Sequence, residues 1–298
     1  MPSLAASAIK AFSRMTIKRR GLSREQLIKH LKRSFDHSPT LVLLPKGVTI
    51  RPLSAPPFEG EVVSVANPKM AILYFHGGAF IAGVTRTYHN FASRLAAELQ
   101  AEVYLARYPF APENPYPAAT DRALEAYRYL LDQGKNPRDI AIAGDSAGGC
   151  LTLTTLLKAR DAGLPMPRCA VAMSPAASCL ADGPSIKAND DKDAMLSADI
   201  IRVATQIYAP DSARHREPYC SPAFGDYRGV PPVMITVDKT ECLYSDAEAV
   251  RKQLELAGVP CNWYERNGLF HVWPIMVPFL PESKEALADI ASFIRQHG

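Results

Sequence analysis

Apolar and polar positions follow two different periods along this chain, and the switch between them lays out its elements. Leu4–Met15 and Ser23–Phe35 carry helical spacing. The second stretch has a clear entry: Ser23 can cap it, and Gln26 three residues on can return the hydrogen bond. Leu27, Ile28, Leu31 and Phe35 then share one face. Val48–Leu53 and Glu61–Val65 read as an antiparallel pair of strands. From there short apolar runs and amphipathic stretches alternate. Strands are predicted at Ala71–Phe75, Glu102–Tyr108, Ile140–Ala143, Ala170–Met173, Pro232–Val237 and Cys261–Tyr264. Helices are predicted at His89–Gln100, Ala118–Gln133, Gly148–Ala162, Ala198–Tyr208, Ser245–Ala257 and Ser283–His297.

Strands apolar on both faces, separated by helices, belong to a buried, mostly parallel sheet covered on both sides. The fold class is therefore α/β. No period of 20–50 residues marks a repeat array. Residues 1–45 and a stretch near 180–215 stand outside the alternation, as polar-flanked helical pieces. They read as a cap in two segments over a main domain spanning 46–298.

Composition narrows the classes. With 298 residues, 47% hydrophobic and 21% charged, the chain is long enough for a large core and too apolar for disorder. Its 25 prolines are scattered as loop punctuation. No apolar run approaches the roughly 18 residues of a membrane span. Lys10 and Arg14 interrupt what could have been a signal-peptide core. Cys150, Cys169, Cys179, Cys220, Cys242 and Cys261 form no C-x-x-C pair, and read as buried free thiols in a reducing cytoplasm.

The net charge of +4 is uneven. Residues 1–40 hold nine Lys and Arg against Glu25 and Asp36, a net of +7 that leaves −3 for the rest. A near-neutral body removes the case for nucleic-acid binding. The basic segment reads as the wet face of helices. Leu27, Ile28, Leu31 and Phe35 could touch a membrane, but a cap packed over the site would bury them, so membrane contact is not expected.

The strongest chemical signal is Gly144-Asp145-Ser146-Ala147-Gly148-Gly149, placed between an apolar strand and an apolar helix. A turn this tight leaves no room for side chains at 144 and 148, and it holds the Ser146 hydroxyl exposed at the sheet's edge. His76-Gly77-Gly78-Ala79 follows another strand, where backbone N–H groups can turn inward. Its expected oxyanion donors are Gly78 and Ala79, with Gly77 a further candidate, joined by Ala147 after the serine. A serine nucleophile needs a base and an orienting acid. His271 follows the last strand, at the sheet's C-terminal edge; His30, His37, His89, His215 and His297 read as surface histidines. The acid should follow the penultimate strand, where Asp238, Glu241 and Asp246 are candidates. Asp145 reads as a structural acid, and nothing in the sequence calls for a metal or organic cofactor.

These motifs resemble the hormone-sensitive-lipase branch of the α/β-hydrolases, the bacterial family IV esterases, over residues 68–298. The family's His-Gly-Gly-Gly stands here as His76-Gly77-Gly78-Ala79, and its Gly-Asp-Ser-Ala-Gly-Gly is intact at 144–149. Its Tyr-Arg-Leu-Ala-Pro-Glu-x-Pro-Phe-Pro-Ala-Ala segment is similar to Tyr108–Ala119, and its Asp-Pro-Leu aligns with Glu241-Cys242-Leu243. The resemblance implies an α/β-hydrolase fold with a helical cap, and a serine carboxylesterase for short- to medium-chain esters. It selects Ser146, His271 and Glu241 as the triad, with Asp238 as the alternative acid. A lactone hydrolase, a deacetylase and a silent small-molecule receptor are the rival readings, and the resemblance also implies a homodimer.

Overall fold

In a computed structural model the chain is described over residues 2–36, 40–83 and 86–297. The expectations for the Phe35 side chain and for His37 fall outside the described residues. Eight strands form a single sheet: β1 Thr49–Ala55, β2 Phe58–Ser64, β3 Met70–Phe75, β4 Ala101–Ala106, β5 Ile140–Asp145, β6 Cys169–Met173, β7 Val233–Asp238 and β8 Cys261–Arg266. Their order is β1-β2-β4-β3-β5-β6-β7-β8. The six strands from β4 to β8 run parallel, and β2 runs against both its neighbours. The expected α/β sheet is the one found. β2 starts earlier than predicted, at Phe58, because that ring is fully buried among core side chains.

The helices are α1 Leu4–Thr16, α2 Arg24–Asp36, α3 Arg86–Leu99, α4 Ala118–Asp132, α5 Ala147–Asp161, α6 Pro184–Ala188, α7 Ala198–Tyr208, α8 Tyr244–Leu256 and α9 Pro281–Gln296. Alternation along β3 explains the two cores. Ala71, Leu73 and Phe75 point to α4, α5 and α8, while Met70, Ile72 and Tyr74 point to α3 and α9. Every residue of β3, β4 and β5 is buried, as expected of central strands. Each buried Leu or Ile side chain contributes about 1.5–3 kcal/mol. α5 is buried nearly all round, because it enters the sheet's face straight from the turn at Ser146.

Two groups of helices lie outside these layers. Leu27 of α2 packs with Ile200, Val203 and Ile207 of α7 over Ile81 and Ala111, loop residues past the C-terminal ends of β3 and β4. Ala6 and Ile9 of α1 pack against Leu269, Phe270 and Trp273. Leu27, Ile28 and Leu31 of the α2 face noted in the sequence are thus turned inward. α6 was not foreseen; five residues are too short to show a period. Five of the cysteines are buried, and Cys261 is half-buried rather than buried.

Candidate functional site

β5 carries the chain to the sheet's C-terminal edge, and Ser146 turns it into α5 with φ 53° and ψ −117°. Such a conformation costs about 1–3 kcal/mol and persists only where neighbours hold it. Here the Ser146 N–H donates to Met173 O at 2.8 Å, and its carbonyl accepts from Cys150 N at 3.0 Å and Ala176 N at 3.1 Å. Glycine is required on both sides. A Cβ on Gly144 would strike the Gly148 carbonyl, and one on Gly148 would strike the Phe75 carbonyl. Both obstacles are backbone, so neither can swing away.

The imidazole of His271 bridges two groups. Its Nε2 lies 2.9 Å from Ser146 Oγ and its Nδ1 lies 2.7 Å from Glu241 Oε2. With the tautomer assigned from these partners, Nδ1–H donates to the carboxylate and the serine hydroxyl donates to Nε2. Burial pushes the His271 imidazole down, but the hydrogen bond and charge of Glu241 outweigh it, and its pKa is raised. Glu241 is itself buried, and that burial pushes its carboxyl up. Its second oxygen, Oε1, accepts from Asp238 N at 2.8 Å and Ser174 Oγ at 2.9 Å.

The other candidate acids are placed elsewhere. Asp238 accepts from Thr240 N, Gly268 N and Leu269 N at 2.8–3.1 Å, and so fastens the loop that leads to His271. Asp246 accepts from Ala177 N and Ser178 N, and burial raises its pKa to about 7. Of the three carboxylates, Glu241 is the one bonded to His271.

The loop after β3 carries three consecutive positive φ angles: Gly78 at 121°, Ala79 at 55° and Phe80 at 62°. Ala79 thus accepts a left-handed conformation, at about 1–2 kcal/mol. Gly77, which the sequence offered as a further oxyanion donor, is already engaged. Its N–H donates to Tyr88 Oη at 2.9 Å and to Asp145 Oδ1 at 3.1 Å. The N–H groups of Gly78 and Ala79 have no hydrogen bond to other described residues. Ala147 opens α5, where an N–H has no helical acceptor. Asp145 also accepts from Tyr74 Oη at 2.8 Å and Tyr88 Oη at 3.0 Å. Burial raises its pKa to about 6 against those hydrogen bonds. It is the structural acid the turn suggested, and it ties the glycine loop to β5. His76 stacks on Tyr108 at 4.4 Å between ring centroids, and burial lowers its pKa to about 4, so it is neutral.

Above Ser146 opens a cleft of about 530 Å³, counting its open mouth. Its walls are mainly apolar: Cys179, Leu243 and the α7 side chains Ile200, Ile201, Ala204 and Tyr208. Tyr208 is stacked on Phe80 at 3.6 Å. Two supporting residues had no sequence signal. Ser174 joins Glu241 to the N–H of Val272, beside His271. Asp193 accepts from Leu196 N at 2.9 Å and Cys242 N at 2.8 Å, and so ties the cleft wall to the Glu241 loop. His30, His89, His215 and His297 make contacts away from this site. Among the described residues no group of three or more His, Cys, Asp or Glu side chains is arranged to hold a metal ion.

Known proteins match this architecture closely. A family model described as alpha/beta hydrolase fold matches residues 72–275. An acetyl-hydrolase of Streptomyces hygroscopicus is 36% identical over 255 residues, covering 82% of this chain and 84% of its own. An esterase of Acinetobacter venetianus is 34% identical, covering 90% of this chain and 86% of its own. The crystal structure of an esterase from the bacterial hormone-sensitive lipase family superposes with a TM-score of 0.90 at 28% identity, covering 100% of this chain and 99% of that one. The chain belongs to the α/β-hydrolase fold family and, within it, to the hormone-sensitive-lipase-like group of esterases.

Proposed function

We propose that this protein is a serine carboxylesterase that hydrolyses short- to medium-chain esters through an acyl-enzyme on Ser146. One observation carries the reading: a single imidazole is hydrogen-bonded to Ser146 Oγ through one nitrogen and to a buried carboxylate through the other.

The steps follow from that arrangement. His271 Nε2 takes the hydroxyl proton as Ser146 Oγ bonds to the ester carbonyl carbon. The carbonyl oxygen becomes an oxyanion, held by the N–H groups of Gly78, Ala79 and Ala147. Glu241 holds the tautomer and offsets the imidazolium charge. Collapse breaks the carbon–alkoxide bond, and His271 protonates the leaving alcohol. Water, deprotonated by the same imidazole, then releases the carboxylic acid and restores Ser146.

In this reading residues 1–45 and the segment near 180–215 are a cap, and 46–298 the catalytic domain. The packing of α2 on α7, and of α7 over the cleft, supports it. The free thiols support a cytoplasmic setting. β8 ends the sheet, and its open edge supports pairing of two copies. The match to an acetyl-hydrolase favours a second reading, a deacetylase using the same residues on an acetyl group.

The test is hydrolysis of p-nitrophenyl esters from acetate to palmitate by wild type and Ser146→Ala. Turnover of acetate to octanoate, lost in the variant, is the expected result. A rate confined to acetate moves the assignment to the deacetylase. No turnover across the series overturns the esterase reading.

A further inference from the structure

α1 is packed on one side and apolar on the other as well. Ala6, Ile9 and Ser13 face the protein. Opposite them Leu4, Ala8, Ala11 and Met15 recur at i, i+4, i+7 and i+11, with Phe12 beside them, and all five are exposed. Leu4 is 92% exposed, Met15 76% and Phe12 58%. The outward face of a surface helix is ordinarily polar. Among the described residues nine large apolar side chains are exposed, and six of them lie between Leu4 and Leu44. The same stretch carries the chain's excess of positive charge. α1 itself has no acidic residue. Arg14 in its last turn and Arg19 just beyond its end are exposed and, among the described residues, bond only to backbone carbonyls, while Arg20 is paired with Asp190 and Asp191.

We infer that α1 is an interfacial helix that docks this protein on anionic lipid bilayers. An apolar stripe on a convex helix, next to cationic side chains, matches a surface of acyl chains and negative headgroups. A second copy of the chain fits worse, since it would bring two segments of net charge +7 together. Among the described residues no helix is long and apolar enough to cross a membrane, so the docking is peripheral. The inner face of α1 packs on Leu269, Phe270 and Trp273, so the docked face lies on the far side of the helix from the loop that carries His271. The sequence set membrane contact aside because the α2 face would be covered. Leu27, Ile28 and Leu31 of that face are packed against α7; the free stripe is on α1.

The full chain is mixed with vesicles of phosphatidylcholine alone, or of phosphatidylcholine with phosphatidylglycerol, and sedimented at low and high salt. Wild type should bind the anionic vesicles, and binding should fall with salt. The combined variant Leu4→Ser, Phe12→Ser, Met15→Ser should bind at least about tenfold more weakly. Its melting temperature and its rate on soluble p-nitrophenyl acetate should match wild type, because all three side chains are exposed. Absence of binding to the anionic vesicles overturns the inference, as does equal binding by the variant. A drop in oligomeric state in the variant without vesicles assigns the stripe to a second copy instead. Vesicle binding is read without turnover, so it stands or falls apart from the esterase reading.

Discussion

Glu241 and Asp238 share one buried corner, and a hydrogen bond joins them: the Asp238 N–H donates to Glu241 Oε1 at 2.8 Å. One carboxylate is turned to His271 and the other to the backbone of Gly268 and Leu269. Neighbouring acids therefore have different work, and mutation separates them. Glu241→Gln should lower kcat by about 10²–10⁴, because it removes the acceptor that sets the imidazole tautomer. Asp238→Asn should act mainly on stability, by about 1–3 kcal/mol, as a buried acceptor of several hydrogen bonds is weakened. Steady-state rates and thermal melts on both variants check this. A larger loss of kcat in Asp238→Asn would reverse the roles.

The pH profile follows from the same pair. His271 works as a base only when neutral, and Glu241 raises its pKa above the ordinary value of about 6.5. The protonated, inactive form thus persists to higher pH. The acid limb of kcat/KM should have its midpoint above about 6.5. Glu241→Gln removes the raising contribution, so the residual activity should show the limb shifted to lower pH. A limb that stays in place would mean that another group governs it.

Tyr88 supports the glycine loop from beneath. Its hydroxyl accepts from Gly77 N and donates to Asp145. Tyr88→Phe leaves the ring packing and strips one donor from a buried carboxylate, at a cost of about 1–3 kcal/mol. The Gly77 N–H keeps Asp145 as a weaker partner. The melting temperature should fall, and on the proposed mechanism, in which the neighbouring N–H groups hold the oxyanion, kcat should fall more than KM rises. A variant with unchanged stability and kcat would show that Asp145 alone holds the loop.

Much of the fold and site is legible in the sequence, for physical reasons. β3, β5 and β6 are apolar on both faces, which only a covered parallel sheet explains. The turn at Ser146 needs glycine at 144 and 148 to clear backbone carbonyls, so its geometry is written locally. The choice of acid was not local. Asp238, Glu241 and Asp246 lie within nine residues and are all buried. Which one meets His271 depends on the N–H groups of Gly268 and Leu269, thirty residues on, claiming Asp238. Ser174 and Asp193 left no trace in spacing, because the partners that tie them to the site, Glu241, Val272 and Cys242, lie 49 to 98 residues away. The engagement of the Gly77 N–H was not legible either, because its partners, Tyr88 and Asp145, come from other elements.

The central claim is covalent chemistry at Ser146, and pre-steady-state hydrolysis of p-nitrophenyl acetate tests it most directly. Wild type should release a burst of about one p-nitrophenol per chain, and intact mass of quenched enzyme should show one acetyl group, absent in Ser146→Ala. A burst and an acetyl adduct that survive in Ser146→Ala, or wild-type turnover with no acylation at Ser146, would contradict the account.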